Sequence, residues 1–562
     1  SEYIPDYWKS REWASGFTGS LGNLVITKNK AGLWTDSRYF IQAESQLRDS
    51  TIDLHKLRTE GHLSYNKWIS TQLKEGSKIG IDGFNAGIEE VNNLQNSLKP
   101  NNHELITNVD LVSDLWTDRP SIPATEIKNH DIKYAGISRL DKVENIRKEM
   151  KKEGAKHHLV ASLDDIAWIM NIRGEDVDFN PVTISYLLIS IDKTTLFINK
   201  NKLSKDINDE FERDNIEVLE YSEIAGYLSN IEKGSCFLLD PNRLNYRLYQ
   251  IICSNHKYIK AENPSVLMKA IKNKTEIQGA INACIKDGVA LTKFWYWLEK
   301  HTLETHTELS TEKVLRAFRA EQNDFVTESF HATVAYGKNA ALPHYSASKE
   351  KYSELQNKGF LLIDSGGQYR DGTTDITRTM PLGKLSQEEK DDYTLVLRGM
   401  INLSMIKFPK GTRGCNIDFA ARQPLWNAGL DYGHGTGHGV GSFLNVHEGP
   451  QSIRQEYKNQ GIFEGMITSN EPGCYKEGRH GIRHENLILC VEDQKTEFGS
   501  FLGFETITMF YFDTSVLNLS IMTIEEVKWL NNYHKKVYKT LSPKLDKEHA
   551  DWLKEKTKAI KK

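Results

Sequence analysis

The stretch LLIDSGGQYRDGTTDITRT, residues 361–379, places two carboxylates at the ends of neighbouring strand-like runs. An apolar run ends at Asp364, a glycine-rich polar connection follows, and a second run begins at Asp375. A hairpin would hold these side chains together, and two carboxylates in contact repel unless a cation or a proton lies between them. The stretch therefore predicts a hairpin with a candidate metal site. The alternative is a hairpin with turn-forming aspartates, which is what we expect of Asp371.

A second stretch, YGHGTGHGVGSFLNVHEGP, brings His434, His438 and His447 close together in the chain. Glycines alternate around the first two histidines, and glycine lets a backbone approach a site closely. Neutral imidazole is a common ligand of transition metals. The alternating glycines argue against a helix, so the spacing is not that of a helical zinc-protease motif. A glycine-rich loop with surface histidines is the alternative.

Two glutamates follow in short motifs. Glu471 in SNEPGCY precedes a proline, which favours an extended backbone. Glu485 lies in the strand-like run GIRHENLILC. Strand alternation places Arg483 and Glu485 on one face and His484 on the other. An ordinary ion pair between Arg483 and Glu485 is the alternative to a ligand role.

Together these motifs supply four carboxylates and one histidine: Asp364, Asp375, His438, Glu471 and Glu485. This donor set is typical of two hard or borderline divalent ions such as Mn²⁺ or Co²⁺. Structural zinc sites prefer cysteine, and the cysteines of this sequence are not spaced for one. Two such ions usually lie ~3.5–4 Å apart and activate a water molecule between them.

The motifs DSGGQYRDGTTDITRT, HGTGHGVGSFLNVHEGP, NEPGCY and GIRHEN resemble those of the pita-bread metallopeptidases, a family that includes methionine aminopeptidase, prolidase and aminopeptidase P. The family's ligand order of two aspartates, one histidine and two glutamates falls on the five positions above. SEYIPDYW, GFTGS, LWTDSRYFIQAE, LWTDRP, GISRLDKVENIR, LDDIAWIMNIRG and WLNNYH resemble the three-domain form of aminopeptidase P. The resemblance implies an enzyme that hydrolyses the N-terminal Xaa-Pro bond of peptides.

The resemblance also implies roles for individual residues. Glu471 would be both a metal ligand and the general base. The candidates for substrate contact or proton transfer are His344 in LPHYSA, His434 and His447, together with Arg38 from the first domain and Arg483 as further substrate-binding residues. The alternatives are a loop histidine at position 344 and a simple Arg38–Asp36 pair.

The sequence departs from the family's pattern in two places. A segment with a first strand usually precedes the part that resembles SEYIPDYW, so we expect the first domain to be incomplete as given. His484 stands where the family usually has an aliphatic residue. Because alternation points His484 away from the proposed ligands, we expect little effect on metal binding.

A chain of 562 residues exceeds what a single core supports, so two to four domains are expected, and the resemblance implies three. We predict an α/β class with two related creatinase-like α/β domains at residues 1–121 and 122–265. An α+β pita-bread catalytic domain would follow at residues 266–562. Prolines and Asp118 near the first boundary are typical of a linker. DDIAWIMNIRG followed by strands is a weak repeat of SREWASGFTGS followed by strands.

Sequence periodicity predicts several elements directly. Residues 24–34 read as two strands, and helices are predicted at residues 38–47, 139–153 and 271–303. Residues 529–562 read as a charged helical tail that packs on the protein or dimerises.

Composition limits the partners. The net charge of -4 leaves no basic surplus for nucleic acid. No apolar run approaches the roughly 18–20 residues of a membrane span. Six cysteines without a CxxC pair favour a reducing, cytoplasmic setting. The resemblance implies a homodimer, two divalent ions with Mn²⁺ first and Co²⁺ or Zn²⁺ as alternatives, and peptides with proline at the second position as substrates.

Three other functions remain open. Prolidase has the same ligand set but accepts only dipeptides that end in proline. Methionine aminopeptidase generally lacks the two N-terminal domains. A non-catalytic peptide-binding protein on the same fold would generally lack the ligands, which are all present here.

Overall fold

The computed structural model describes residues 3–37, 39–343 and 345–562. These form two compact units, Ser1–Asn129 with Ile137–Ser265, and His130–Gly136 with Val266–Lys562. Both predicted N-terminal domains lie in the first unit and the predicted catalytic domain makes up most of the second. The boundary between residues 121 and 122 stays a prediction.

The second half of the first unit is built on a six-stranded mixed sheet. Its strands lie in the spatial order Ile216–Leu219, Thr194–Ile198, Ser185–Ser190, His157–Val160, Cys236–Leu239 and Lys257–Lys260. Its helices are Arg139–Glu153, Leu163–Met170, Lys205–Arg213, Ile224–Asn230 and Tyr246–Asn255, and the short strands Lys128–Asn129 and Ile172–Arg173 pair with each other. The helix predicted at residues 139–153 is confirmed.

The first half of this unit repeats the same order of elements on a smaller scale. Its strands are Asn23–Ile26, Ala31–Thr35, Ile52–Lys56, Lys78–Gly80 and Glu104–Ile106, and its helices are Ser10–Ser15, Phe40–Gln46, Tyr65–Gln72 and Ile88–Leu98. In both halves a helix leads into an antiparallel hairpin, and the next helix leads into a parallel strand. This shared order agrees with the repeat predicted from the sequence. Arg38, within the helix predicted at residues 38–47, lies outside the described residues.

The second unit contains the helices Ile132–Ala135, Lys274–Lys300, Glu308–Ala320, Gln387–Met405, Gly414–Trp426, Ile524–Leu541 and Lys547–Lys556, and most of the helix Pro264–Ala270. The longest of them begins three residues later and ends three residues earlier than predicted. Asn273 caps it, and Asn273 and Glu276 exchange backbone hydrogen bonds in a capping box. The cap explains the start, which helical periodicity alone does not locate.

Two sheets of the second unit carry the candidate ligands. One has three strands in the order Thr333–Tyr336, Phe360–Ser365 and Ile376–Pro381. The other has six in the order Phe408–Pro409, Gly499–Thr506, Asn486–Thr496, Ile467–Asn470, Gly437–Gly439 and Glu448–Ile453. The smaller sheets are Phe325–Glu328 with Gly367–Tyr369 and Gly372–Thr373, and Gly473–Lys476 with His480–Arg483.

The hairpin predicted around the two aspartates is present. Asp364 pairs with Thr377 in the antiparallel register, and Asp375 lies directly before the second strand. Asp371 occupies the inner turn between Tyr369 and Gly372, and its Oδ1 lies 2.7 Å from the Lys286 Nζ. The turn-forming role predicted for Asp371 agrees with this position.

Close packing at Gly366 gives a stability prediction. A Cβ at Gly366 would overlap the Thr374 carbonyl oxygen and the Ser329 hydroxyl, because the hairpin folds back on itself there. We expect Gly366→Ala to destabilise the second unit by about 1–3 kcal/mol. Gly226→Ala is the control, since its Cβ meets open space in the helix Ile224–Asn230, and it should be neutral or stabilising. Thermal unfolding of both variants measures the difference, and equal midpoints would contradict the close packing.

The predicted C-terminal helical tail consists of two helices rather than one. Pro543 lies in the connection between them and cannot continue the first helix. The first helix buries Val527, Leu530 and Val537, so this part of the tail packs on the protein. Within the described ranges, no helix combines the length and apolarity that crossing a membrane requires.

Candidate functional site

The five candidate ligands meet between the two ligand-bearing sheets of the second unit. Ligand atoms of Asp375, His438 and Glu485 all lie within 4.8 Å of one another. Asp364 lies in the strand Phe360–Ser365, and Glu471 directly follows the strand Ile467–Asn470. Residues more than a hundred positions apart therefore form one cluster.

His438 presents one ring nitrogen to two carboxylates. Its Nε2 lies 3.4 Å from the Asp375 Oδ2 and 3.6 Å from the Glu471 Oε1. Its Nδ1 lies 2.9 Å from the Gly439 carbonyl oxygen, which can only accept a hydrogen bond. The proton of the neutral ring therefore sits on Nδ1, and the Nε2 lone pair faces the cluster as a metal ligand requires.

Hydrogen bonds from neighbouring side chains orient the remaining acids. The Arg483 Nη2 donates to the Asp364 Oδ2 at 2.6 Å. The Thr377 hydroxyl donates to the Glu485 Oε2 at 2.8 Å, and the Ser469 hydroxyl donates to the Glu471 Oε1 at 3.2 Å. A hydrogen bond to one of its two oxygens thus orients each of these carboxylates.

The electrostatics of the cluster favour a bound cation. Burial, together with the carboxylates of Asp375 and Asp364, raises the pKa of Glu471 to about 7 against the opposing charges of His438 and Arg483. Burial and the neighbouring acids raise the pKa of Glu485 well above its ordinary value, and burial raises that of Asp364. Burial lowers the pKa of His438, but Asp375 and Glu471 outweigh it and raise the value to about 9. Negative charge is therefore costly here unless protons or cations neutralise it.

Two acid oxygens of the candidate ligands have no hydrogen-bond partner among the described residues. They are the Asp364 Oδ1 and the Glu485 Oε1, both buried. Buried acceptors of this kind are rare unless a water or an ion satisfies them. Four carboxylates, one imidazole lone pair and these unmatched oxygens together fit divalent cations.

A chain of hydrogen bonds behind the ligands involves a residue to which the sequence assigned no role. The Arg483 Nη1 donates to the Tyr475 hydroxyl at 2.7 Å, and that hydroxyl lies 2.8 Å from the His434 Nε2. The His434 Nδ1 meets the Gly435 carbonyl oxygen at 2.8 Å, so it carries the proton and Tyr475 donates to Nε2. The chain runs from His434 through Tyr475 and Arg483 to Asp364. Only the NEPGCY motif, which contains Tyr475, could have signalled it.

The structure gives fewer contacts for the other predicted site residues. The ring of His447 lies 4.4 Å from that of His438, at a right angle to it. Arg483 is buried and bonded to Asp364 and Tyr475, so its predicted contact with substrate stays a prediction. His344 and Arg38 lie outside the described residues.

His484 points away from the cluster, as alternation predicted. It follows the strand His480–Arg483, and its ring packs edge-on against Tyr393 at 4.4 Å and against Phe512 at 5.5 Å. Burial and the charge of Arg378 hold the pKa of His484 well below its ordinary value. The imidazole is therefore a neutral part of the core.

Comparison with known families identifies the class of protein that this fold and site define. Residues 279–492 match the model of metallopeptidase family M24, and residues 500–560 match the C-terminal region of peptidase M24. Residues 5–114 and 118–276 each match a creatinase/prolidase N-terminal domain. The chain belongs to metallopeptidase family M24.

Relatives of similar length carry more particular names. Aminopeptidase P2 of Arabidopsis thaliana is 40% identical over 97% of this chain and 82% of its own length. Xaa-Pro aminopeptidase 1 of Dictyostelium discoideum is 40% identical over 100% of this chain and 92% of its own. A crystal structure of X-prolyl aminopeptidase from Caenorhabditis elegans, described as a cytosolic enzyme with a di-nuclear active site, superposes with a TM-score of 0.93. It is 34% identical and the match covers 100% of this chain and 93% of that one.

Proposed function

We propose that this protein is a metallo-aminopeptidase that hydrolyses the N-terminal Xaa-Pro peptide bond. Its two divalent ions would be held by Asp364, Asp375, His438, Glu471 and Glu485. The observation that carries the proposal is the meeting of these side chains at one buried cluster with unmatched acid oxygens. Full-length similarity to Xaa-Pro aminopeptidases supports the choice of substrate.

The protein's own groups divide the work of the reaction. Ions bound at the cluster would polarise a peptide carbonyl and bring the pKa of a water molecule towards neutrality. Glu471 would take the proton from the attacking water and deliver it to the leaving proline nitrogen. His447 would stabilise the negative charge that develops on the carbonyl oxygen. His344 and His434 would orient the proline residue.

A site dedicated to proline follows from the chemistry of the substrate. The amide before proline is tertiary, so it has no N–H that could form a strand-like hydrogen bond. The proline ring also obstructs the approach of general peptidases. Arg38 and Arg483 are the proposed additional contacts with the peptide. Prolidase activity is the second candidate, since that enzyme class shares the ligand set.

The metal, the location, the oligomeric state and the domain borders are part of the same proposal. Mn²⁺ suits a cluster rich in carboxylate oxygens, with Co²⁺ or Zn²⁺ as alternatives. A cytoplasmic location is supported by six free thiols and by the relative described as cytosolic. The homodimer rests on family resemblance. The domain border at residues 121/122 is supported by the separate family matches to residues 5–114 and 118–276, and the border at 265/266 by the change of compact unit between Ser265 and Val266.

A peptide panel tests the proposed activity. The protein with Mn²⁺ is incubated with an Xaa-Pro-Yaa tripeptide, an Xaa-Pro dipeptide and a Met-Ala-Yaa tripeptide, and the products are identified by mass spectrometry. We expect release of Xaa from the first peptide alone. Cleavage of the dipeptide alone would make the protein a prolidase, and no cleavage of any peptide would contradict the proposal.

A further inference from the structure

The segment that carries His434 has little structure of its own. Residues 431–436 contain no regular element, and Gly433 and Gly435 flank the histidine. Glycine has the largest backbone freedom to lose on folding, so the local sequence does not fix this segment. Its conformation must come from contacts with other parts of the chain.

Arg422 supplies such contacts from the helix Gly414–Trp426. Its Nη2 donates to the carbonyl oxygen of His434 at 2.8 Å, and its Nη1 donates to that of Tyr432 at 2.7 Å. The guanidinium also lies 3.8 Å from the centre of the Tyr432 ring. Arg422 is 1% exposed, and its hydrogen bond to Tyr432 is buried while that to His434 is partly buried. One side chain thus fixes the backbone on both sides of Gly433.

Asp418, one helical turn before Arg422, binds the Thr436 end of the same segment directly and reaches the Tyr432 end through Arg422. Its Oδ2 accepts from the Arg422 Nε at 2.6 Å, and its Oδ1 accepts from the Thr436 hydroxyl. Because the Thr436 proton is used there, the Tyr432 hydroxyl donates to the Thr436 oxygen. Asp418 and Thr436 are both buried.

Residues 431–436 contact the cluster at two points. The Thr436 carbonyl oxygen accepts from the backbone N–H of Glu471 at 2.8 Å. The His434 Nε2 accepts from Tyr475, which connects through Arg483 to Asp364. A displacement of this segment would therefore reach both His434 and the backbone of the proposed general base.

We propose that Arg422, held by Asp418, is a positioning residue that acts on the reaction through His434. The kinetic part of this inference rests on the proposed function. A guanidinium is needed because it is a rigid planar group with several donors, whereas lysine offers a point charge on a flexible stem. Lysine at this position cannot reach Asp418 and both carbonyl oxygens together.

The first test compares Arg422→Lys with a matched variant elsewhere in the same unit. Arg319 is also 1% exposed, and its Nε donates to a buried carboxylate, that of Asp287, at 2.7 Å. We expect Arg422→Lys to lower kcat/KM for an Xaa-Pro-Yaa peptide by about 10²-fold. Arg319→Lys should reduce thermal stability but leave kcat/KM close to that of the wild type. Equal losses in the two variants would show a merely structural role and overturn the proposal.

A double-mutant cycle with His434→Ala tests whether Arg422 acts through His434. If it does, adding Arg422→Lys to His434→Ala will lower kcat/KM far less than the same change does in the wild type, since the histidine that Arg422 positions is already absent and only the contact with the Glu471 backbone is left. Losses that multiply would overturn the proposal, and so would a His434→Ala variant with wild-type kinetics.

Hydrogen exchange separates this proposal from the proposed function. Deuterium uptake of a peptide spanning residues 431–437, followed by mass spectrometry, is expected to rise in Arg422→Lys and stay unchanged in Arg319→Lys. If the wild type cleaves no Xaa-Pro peptide, the proposed function fails, and uptake alone decides whether Arg422 orders the segment. Unchanged uptake in Arg422→Lys would overturn the inference in either case.

Discussion

Glu471→Gln is expected to lower kcat for an Xaa-Pro-Yaa peptide by roughly 10²–10⁴-fold, the usual contribution of a general base. Glutamine keeps the size of the side chain, but its amide cannot take up a proton from water. Its NH₂ group would also face His438, whose Nε2 lies 3.6 Å from the Glu471 Oε1. Steady-state kinetics with saturating Mn²⁺ measures the loss, and elemental analysis separates lost catalysis from lost metal.

Glu505→Gln is the matched control for this variant. Glu505 lies on the six-stranded sheet of the same unit, half-exposed, and its Oε1 pairs with the Lys536 Nζ at 2.9 Å. An exposed ion pair of this kind contributes little to stability, so the kinetics of Glu505→Gln should match those of the wild type. Near-wild-type activity of Glu471→Gln itself would remove Glu471 from the proposed role.

Removing divalent ions with a chelator is expected to abolish activity and to lower the thermal midpoint of the second unit. Four carboxylates are gathered at the cluster, and a cation relieves their repulsion in the folded state only. A ligand at a hundred times its Kd contributes about 2.7 kcal/mol. With each 1 kcal/mol worth about 1.5–2 °C for a unit of this size, Mn²⁺ should raise the midpoint by roughly 4–5 °C. Differential scanning calorimetry with and without the ion measures the shift.

Asp375→Asn tests whether the cluster is the origin of that shift. This substitution removes a charge that lies 3.4 Å from His438, so most of the Mn²⁺-dependent stabilisation should disappear. Glu505→Gln should keep it. The shift should also shrink as pH falls below 7, because protons then compete with the ion for acids of raised pKa such as Glu471. An undiminished shift in Asp375→Asn would place the ion elsewhere.

The local elements and the short motifs that hold the candidate ligands could be predicted because they depend on short stretches of sequence. The predicted hairpin placed Asp364 near Asp375, strand alternation turned His484 away from Glu485, and both features are present. The helix Arg139–Glu153 followed from its apolar spacing and agrees with the prediction. In each case the signal lies within one or two neighbouring elements.

The hydrogen bonds that hold the candidate ligands in place could not be predicted, because they depend on the register between distant strands. An ion pair with Glu485 was the alternative for Arg483, whereas its guanidinium donates to Asp364 on another sheet, and its contact with substrate stays a prediction. Tyr475 gains its place only from the short pairing of Gly473–Lys476 with His480–Arg483. Arg422 lies in a helix whose sequence carries no recognisable motif. Such contacts form only when the tertiary structure is complete.

We propose that two divalent ions at this cluster drive cleavage before proline. The sharpest test titrates metal-free protein with Mn²⁺ while release of Xaa from an Xaa-Pro-Yaa tripeptide is followed. No release is expected without metal, and the rate should saturate at two bound ions per chain. Full activity in the metal-free protein, or saturation without any bound ion, would contradict this proposal.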